Sequence, residues 1–370
     1  MKVCDLATTC PGCSLWGVAY SEQLAQKTKR LQDLFVGHLN SLQIRTHSSG
    51  EHSLRERFDF IIKDKKVGLI DKDKNFIPIR KCLQLTPKLQ QAFDLLAQAD
   101  FNIRIGTIRL RASSRGQIEK YGLWLDFANN DIKTLLLEKN ILKKLSENFF
   151  IEVGQKKKCL DESTFSNEQI KLAEPKMQPW FHTYNYKTKT PIDLNCAVSS
   201  FTQPSAVTAK LMTDIIADWM QTPEQIVWEF GCGIGQYTFS MLSLGHKVSV
   251  FENDEFALSC VKTTALHHHL LKKLTTHAGD FQRPQNIDIN EKPDVVLLNP
   301  PKSGLKSFTQ NVLTANPKKI IYVSCYPESL RTDSEIFLQA NYKITKAHIV
   351  DQFPQTNHFE VVMLFERVDI

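Results

Sequence analysis

Short apolar segments alternate with amphipathic helical segments through the second half of the chain. Strands of this kind are predicted at 225–230, 247–252, 294–299 and 318–325. A helix is predicted at 205–220, before the first of them. Because these strands are apolar along their whole length, the alternation predicts an α/β domain whose parallel sheet is covered on both faces. The segment 342–367 instead contains two strands joined by a short loop, which predicts a hairpin that closes one edge of the sheet.

The first half has no such regular alternation. It combines irregular strands with amphipathic helices at 86–99 and 134–149, and Thr86 followed by proline is a helix-start signal. A polar, weakly periodic stretch near 155–195 separates the halves. Since a single hydrophobic core rarely grows beyond about 250 to 300 residues, the 370-residue chain is expected to form two domains. We expect a mixed α+β domain at 1–190 and the α/β domain at 191–370.

Composition excludes several classes of protein. No apolar run approaches the ~20 residues that a membrane span requires, and the amino terminus lacks the apolar core of a secretory signal. We therefore expect a cytoplasmic monomer without a membrane partner. In a reducing compartment nine cysteines are more often thiols, metal ligands or catalytic groups than disulfides. A net charge of +6 is compatible with a polyanionic partner.

A glycine-rich turn, "WEFGCGIGQYT" at 228–238, follows the first buried strand. Its glycines, beginning with Gly231, let the backbone turn tightly and approach a ligand. Glu252 ends the next strand, where an acid accepts hydrogen bonds from ribose hydroxyls, and Asn299 ends a further one. Open α/β sheets bind ligands at this edge. The spacing G-x-G-x-G, without a second mononucleotide-binding half, favours S-adenosylmethionine over NAD.

Four separated motifs occur in one order along the chain: "FTQPS" at 201–205, "NPPKSG" at 299–304, "YVSCYPESL" at 322–330 and "NHFEVV" at 357–362. Together they resemble the RNA uracil-C5 methyltransferase family. The resemblance implies a Rossmann-like class I methyltransferase domain that uses S-adenosylmethionine. It also implies that Cys325 is the nucleophile and Glu360 the general base. The cofactor contacts that it implies are Gln203, Gly231, Glu252 and Asn299.

The chemistry of C5 methylation explains why a thiol and a base are needed. Carbon 5 of uracil is a poor nucleophile, so a thiolate must first add to carbon 6. After methyl transfer, a base must remove the proton from carbon 5 before the enzyme is released. A stacked uracil is out of reach, so the target must be looped out or flipped. The chain departs from the family pattern at Ser205, Gly231, Lys302 and Tyr326.

The amino-terminal cysteines form a second candidate site. Cys4, Cys10 and Cys13 form a C-x5-C-x2-C motif, and Cys82 lies far downstream. Four thiolates suit tetrahedral zinc or a [4Fe-4S] cluster, and their spacing does not choose between the two. The family resemblance implies the [4Fe-4S] cluster. Because only three residues precede Cys4, we expect the shorter branch of the family, which methylates a single uridine in 23S ribosomal RNA.

Basic residues are predicted to contact RNA phosphates at Arg55, Arg57, Arg104, Arg109, Arg111, Arg115 and Lys120. Three alternatives stay open. A tRNA uracil-C5 methyltransferase would use the same catalytic pair. An amino-group methyltransferase would use Asn299 and the prolines after it, but such enzymes usually place an aromatic residue where Lys302 lies. A non-catalytic RNA-binding protein would use the iron–sulfur cluster as a redox sensor.

Overall fold

The computed structural model describes residues 4–39, 42–100, 105–155, 157–280 and 291–368. No helix within these ranges is long and apolar enough to cross a membrane.

The chain forms two compact units, each assembled from three segments. Unit 1 comprises Met1–Trp16, Gly50–Phe181 and Asn195–Ala206, and unit 2 comprises Gly17–Ser49, His182–Leu194 and Val207–Ile370. The units differ from the contiguous halves that the sequence predicts, because residues 17–49 pack with the second half of the chain.

The helices and strands of the described residues are as follows. The α-helices are α1 (Tyr20–Leu34), α2 (Pro87–Leu96), α3 (Asn129–Leu135), α4 (Lys139–Ser146), α5 (Ala206–Trp219), α6 (Thr238–Ser243), α7 (Glu255–His267), α8 (Thr309–Ala315) and α9 (Pro327–Gln339). The strands are β1 (Arg45–Ser48), β2 (Arg57–Lys63), β3 (Lys66–Ile70), β4 (Phe76–Pro78), β5 (Ile105–Arg111), β6 (Tyr121–Asp126), β7 (Phe149–Val153), β8 (Lys158–Leu160), β9 (Leu172–Ala173), β10 (Gln178–Asn185), β11 (Thr190–Cys196), β12 (Ile226–Phe230), β13 (Lys247–Glu252), β14 (Leu274–Ala278), β15 (Val295–Leu298), β16 (Lys319–Ser324), β17 (Tyr342–Asp351) and β18 (Glu360–Arg367).

Unit 1 is built on an eight-stranded sheet in the order β4-β3-β2-β5-β6-β7-β8-β9. Its strand pairs are antiparallel except for β6 and β7. The hydroxyl of Thr86 accepts a hydrogen bond from the amide of Leu89 at 3.3 Å, which confirms the predicted start of α2. Leu89, Phe93 and Leu96 lie on one face of α2 and are buried in the core of unit 1.

The segment 134–149 is not the single helix that the sequence predicts. The structure divides it between α3 and α4, and β7 begins at Phe149. Leu136 and Leu142 are both buried, although one continuous helix would point them about 120° apart. The break between the two helices therefore lets both leucines enter the same core.

Unit 2 contains a second eight-stranded sheet, in the order β1-β17-β18-β16-β15-β12-β13-β14. The strands β12 to β16 pair in parallel, as predicted. Each of β12, β13, β15 and β16 lies within a segment that the sequence predicts to be a strand. All four residues of β15 are buried, as expected for a strand that is covered on both faces.

The predicted hairpin forms but does not close the sheet. β17 and β18 are antiparallel, and β18 also pairs with β16. Beyond β17 lies β1, which pairs with it in parallel from Arg45 opposite His348 to Ser48 opposite Asp351. The segment that forms β1 is four residues long and mostly exposed, so it carries no apolar alternation from which a strand could be predicted.

Candidate active site

The glycine turn after β12 brings the ends of three strands together. The amide of Gly231 donates to the carbonyl of Phe251 at 2.9 Å, and the amide of Asn299 donates to the carbonyl of Phe230 at 3.0 Å. The amide of Gly233 donates to Glu252 Oε2 at 2.9 Å. Gly231, Glu252 and Asn299 therefore lie at one edge of the sheet, the carboxyl ends of parallel strands.

Glycine is suited to positions 233 and 235 of this turn for different structural reasons. Both adopt a positive φ, +55° at Gly233 and +91° at Gly235. A Cβ atom at Gly235 would lie 2.6 Å from the ring of Phe239, so that glycine is required by packing. A Cβ atom at Gly233 would meet nothing within 4 Å. The backbone at Gly233 therefore borders open space, where a ligand can approach closely.

Glu229, two residues before the glycine turn, is a buried acid that the sequence analysis does not single out. It is fully buried inside the apolar strand β12, and Thr238 Oγ1 donates to its Oε2 at 2.6 Å. Among the described residues, its Oε1 has no hydrogen-bond partner. Burial raises the pKa of Glu229 to about 8, with Thr238 lowering it and Glu252 raising it further. The signal in the sequence was an acid in an otherwise apolar strand just before the glycine turn.

Cys325 follows the last residue of β16, and Glu360 begins β18. Ser324 pairs with Val361 in the antiparallel register of these strands, so Cys325 and Glu360 come next to each other at the ends of neighbouring strands. Burial raises the pKa of the half-buried Cys325 thiol to about 11. The charge of Glu360 contributes to this rise, whereas Lys302 lowers the pKa. A thiol, a carboxyl group and an ammonium group thus lie close together.

The carboxyl group of Glu360 is held by a side chain that sequence reasoning also missed. Glu360 is 4% exposed. Gln352 Nε2 donates to Glu360 Oε1 at 3.0 Å, and Gln352 Oε1 accepts from Thr208 Oγ1 at 3.0 Å. Burial raises the pKa of Glu360 to about 7, and both Gln352 and Lys302 oppose this rise. Near neutral pH the group can therefore take up a proton or release one.

Residues 188–368 match the family model described as tRNA (Uracil-5-)-methyltransferase. An uncharacterized RNA methyltransferase of Bdellovibrio bacteriovorus, Bd2056, is 36% identical over 98% of this chain and 95% of its own length. This chain belongs to the RNA uracil-C5 methyltransferase family. The 23S rRNA (uracil(1939)-C(5))-methyltransferase RlmD of Shewanella sp. strain MR-7 is 27% identical to this methyltransferase over 98% of the chain and 81% of RlmD.

A solved structure is similar over nearly all of the methyltransferase. It is the Pyrococcus abyssi tRNA (uracil-54, C5)-methyltransferase in complex with S-adenosyl-L-homocysteine, with a TM-score of 0.69 and 18% sequence identity. The superposition covers 97% of this chain and 86% of the other. This likeness confirms the expected class I methyltransferase fold.

The four amino-terminal cysteines of the methyltransferase line one cavity of unit 1, together with apolar side chains that include Leu6, Trp16 and Ile79. Burial raises the pKa of Cys13 to about 12, and the nearby thiols of Cys82, Cys10 and Cys4 raise it further. The amide of Gly12 lies 3.5 Å from Cys10 Sγ and donates to it.

No three His, Cys, Asp or Glu side chains within the described ranges are arranged to hold a metal ion. The structure places Cys4, Cys10, Cys13 and Cys82 around one cavity, but their side chains are not arranged as metal ligands, so their ligation of a metal stays a prediction. Gln203, the remaining predicted cofactor contact, belongs to unit 1, where it is buried.

One of the arginines predicted to contact RNA is buried instead. Arg111 is 2% exposed, and its guanidinium donates to Cys196 Sγ at 3.2 Å and to the carbonyls of Ala197 and Ser200. The prediction is wrong for Arg111, because the 196–200 loop surrounds its charge with acceptors inside unit 1.

Arg109 is similarly engaged within unit 1. Its Nε donates to Asp59 Oδ1 at 2.7 Å and its Nη2 to Asp59 Oδ2 at 2.9 Å, and its Nη1 donates to the carbonyl of Ser199 at 2.6 Å. Arg104 lies outside the described residues. Arg115 is exposed and remains a candidate for phosphate contact.

Proposed function

We propose that this protein transfers a methyl group from S-adenosylmethionine to carbon 5 of a specific uridine in 23S ribosomal RNA. The observation that carries the proposal is the position of Cys325 and Glu360 on neighbouring strands, at the sheet edge that also holds the glycine turn. The similarity to RlmD proteins over 98% of the chain supports 23S rRNA as the substrate.

The residues at this edge suit a nucleoside-containing methyl donor. The Glu252 carboxylate, oriented by the Gly233 amide at 2.9 Å, would accept the ribose hydroxyls. The open space beside Gly233 leaves room for the rest of the ligand. Asn299 completes the proposed contacts within unit 2. The bound cofactor supplies the methyl group.

Cys325 and Glu360 divide the reaction between them. The Cys325 thiolate adds to carbon 6 of the uracil, and the electron pair that moves to carbon 5 would take the methyl group from the sulfonium of the donor, whose sulfur–methyl bond breaks to leave a neutral thioether. Glu360 then takes the proton from carbon 5, the C5–C6 double bond re-forms, and the thiolate leaves. Lys302 lowers the pKa of both groups, and thereby favours their reactive, deprotonated forms.

We propose further that Cys4, Cys10, Cys13 and Cys82 bind a [4Fe-4S] cluster. Their soft sulfur donors, their shared cavity and the hydrogen bond from the Gly12 amide to Cys10 suit such a cluster. The positive charge of Arg55 also lowers the pKa of Cys13 and Cys82, which favours the thiolates that ligate iron.

Methylation is tested with S-adenosylmethionine carrying a labelled methyl group. The protein is incubated with 23S rRNA from a strain that lacks the gene, and the product is mapped. We expect 5-methyluridine at one position. Label in tRNA but not in 23S rRNA would favour the tRNA methyltransferase, the function in the description of the matching family model. No 5-methyluridine in either RNA would refute the proposed activity.

The cluster is tested by anaerobic purification. We expect a broad visible absorption band and about four iron and four sulfide ions per chain, with both lost in Cys82→Ser. Cys159→Ser is the matched control, because Cys159 is a thiol of unit 1 outside the cysteine cavity. Stoichiometric zinc in place of iron would contradict the cluster.

A further inference from the structure

One face of α1 is polar and buried, which is unusual for a helix of a globular protein. Gln23 and Lys27 are 0% and 2% exposed. Together with Tyr20 and Arg30 they recur at intervals of three and four residues, so that they lie on one side of the helix. All four form hydrogen bonds with residues 351–357 of the 351–359 loop, the segment from Asp351, the last residue of β17, to Phe359, which precedes Glu360.

The first of these contacts is a buried ion pair at the start of the 351–359 loop. Lys27 Nζ lies 2.7 Å from Asp351 Oδ1, and both side chains are almost completely buried. Lys27 Nζ also donates to the carbonyl of Phe353 at 3.1 Å. The hydroxyl of Tyr20 donates to the second oxygen, Asp351 Oδ2, at 2.9 Å. Both oxygens of Asp351 are therefore bound to α1.

Two further contacts hold the later part of the loop. Gln23 Nε2 donates to Gln355 Oε1 at 3.0 Å, and the amide of Gln355 donates to Gln23 Oε1 at 2.9 Å. Gln355 has a φ of +65°, a conformation that a residue other than glycine adopts only when its surroundings impose it. Arg30 Nη1 donates to the carbonyl of Asn357 at 3.0 Å.

The loop in turn positions the acid of the active site. Gln352 follows Asp351 directly and donates to Glu360 Oε1. Val350, the residue before Asp351, pairs with Glu360 in the register of β17 and β18. Any displacement of Asp351 is therefore transmitted to the Glu360 carboxyl both through the backbone and through the Gln352 side chain.

Stability alone does not account for this arrangement. Burying an ammonium and a carboxylate costs so much hydration that well-packed apolar residues in their place are often as stable or more stable. Buried polar pairs are, however, directional, and they can select one arrangement of two elements.

We propose that α1 is a positioning element for catalysis, in which Lys27 and Gln23 hold the 351–359 loop so that Glu360 stands ready to remove the carbon-5 proton. This inference rests on the proposed function. Lys27, Gln23 and Gln352 are positioning residues, because they act on the reaction through Glu360 and do not touch the uracil.

Removing the cation of the ion pair tests the inference. Addition of Cys325 and methyl transfer precede the step that needs Glu360, so a displaced base stops the reaction at the covalent protein–RNA adduct. In Lys27→Met we expect methyl transfer in a single turnover to stay within about threefold of the wild type, while elimination slows about 10- to 100-fold. The adduct should accumulate and be visible by denaturing gel electrophoresis.

Two variants serve as references. Lys29→Met is the matched control, because Lys29 lies on the exposed side of the same helix in an ion pair with Asp33. It should turn over like the wild type. Glu360→Gln should accumulate the adduct, because it removes the base itself. If Lys27→Met leaves Asp351 too poorly accommodated for folding, Lys27→Met/Asp351→Asn removes both charges and provides the same measurement.

The outcomes separate the two proposals. If Glu360→Gln traps the adduct but neither Lys27 variant does, the positioning role of α1 is refuted and the proposed function stands. If a folded Lys27 variant loses methyl transfer and elimination in the same proportion, its effect is structural and the inference is again refuted. If Glu360→Gln turns over without an adduct, Glu360 is not the base, so the positioning inference fails and the proposed methylation loses its assigned base but not its activity.

Discussion

Replacing Glu360 by glutamine removes an acid that the folded protein keeps in an unfavourable environment. Burial raises the pKa of Glu360 from 4.5 to about 7. An acid whose pKa is raised on folding makes the folded state less stable once it ionises. The free energy of unfolding therefore falls as the pH rises from 4.5 through 7. At 1.36 kcal/mol per pKa unit, the full loss amounts to about 3 kcal/mol.

Glu360→Gln should therefore be more stable than the wild type by an amount that grows with pH. We expect the ionisation term to contribute about 1 kcal/mol at pH 5 and about 3 kcal/mol at pH 8. Glutamine is neutral at both pH values and nearly the same shape, so its other effects on stability should not change between them. Turnover should nevertheless be lost, because the carbon-5 proton has no acceptor.

The free energy of unfolding is measured in urea at the two pH values. Hydrogen–deuterium exchange of peptides from β16 and β18 reports the unfolding of unit 2. Glu366→Gln is the control, because Glu366 lies on the same strand but is partly exposed. The difference in unfolding free energy between Glu366→Gln and the wild type should change by less than about 0.5 kcal/mol between pH 5 and pH 8. If the advantage of Glu360→Gln is the same at pH 5 and pH 8, the ionisation argument is wrong.

Three further predictions concern the active site and unit 1. The rate of a complete turnover, through release of the methylated RNA, should rise with pH between 6 and 9, because Glu360 and Cys325 both react in their deprotonated forms and their pKa values are about 7 and 11. A rate that falls over this range would contradict these roles. Gly233→Ala should weaken S-adenosylhomocysteine binding at least about tenfold, measured by calorimetry. The alanine side chain would enter the open space beside residue 233, and its positive φ would be strained by about 1 kcal/mol. Unchanged affinity would exclude that space as the ligand site. Arg111→Met should destabilise unit 1 by about 2 to 4 kcal/mol in thermal unfolding, because it leaves buried carbonyl groups without their donor. Arg115→Met, on the exposed surface, is the control and should change stability by less than about 0.5 kcal/mol.

Strands that are apolar on both faces could be predicted from the sequence because their signal is local. The segments at 225–230, 247–252 and 318–325 each contain the observed strand. β1 could not be predicted, since its four residues are mostly exposed and pair with a strand some 300 positions later. The break between α3 and α4 is also a tertiary effect, because it depends on which leucines the core of unit 1 admits.

In the candidate site, too, only the features with a local sequence signal could be predicted. Gly231, Glu252 and Asn299 were predicted to meet because the carboxyl ends of parallel strands share an edge. Arg111 was assigned to the surface because an arginine in a polar sequence carries no sign of the carbonyl groups that the 196–200 loop brings to it. Gln352 was overlooked for the converse reason, since nothing local distinguishes it from a solvated glutamine.

The sequence by itself determined the alternation of helices and strands after residue 205, the glycine turn, and the presence of Cys325 and Glu360 in the segments that form neighbouring strands. Those properties follow from hydrophobic periodicity and from residue chemistry, which act over a few neighbouring positions. Only the tertiary structure decided that α1 packs beside the 351–359 loop, that Lys27 pairs with Asp351, and that Gln352 holds Glu360. These contacts join residues more than 300 positions apart or across a turn, and their energies depend on burial that no local pattern records.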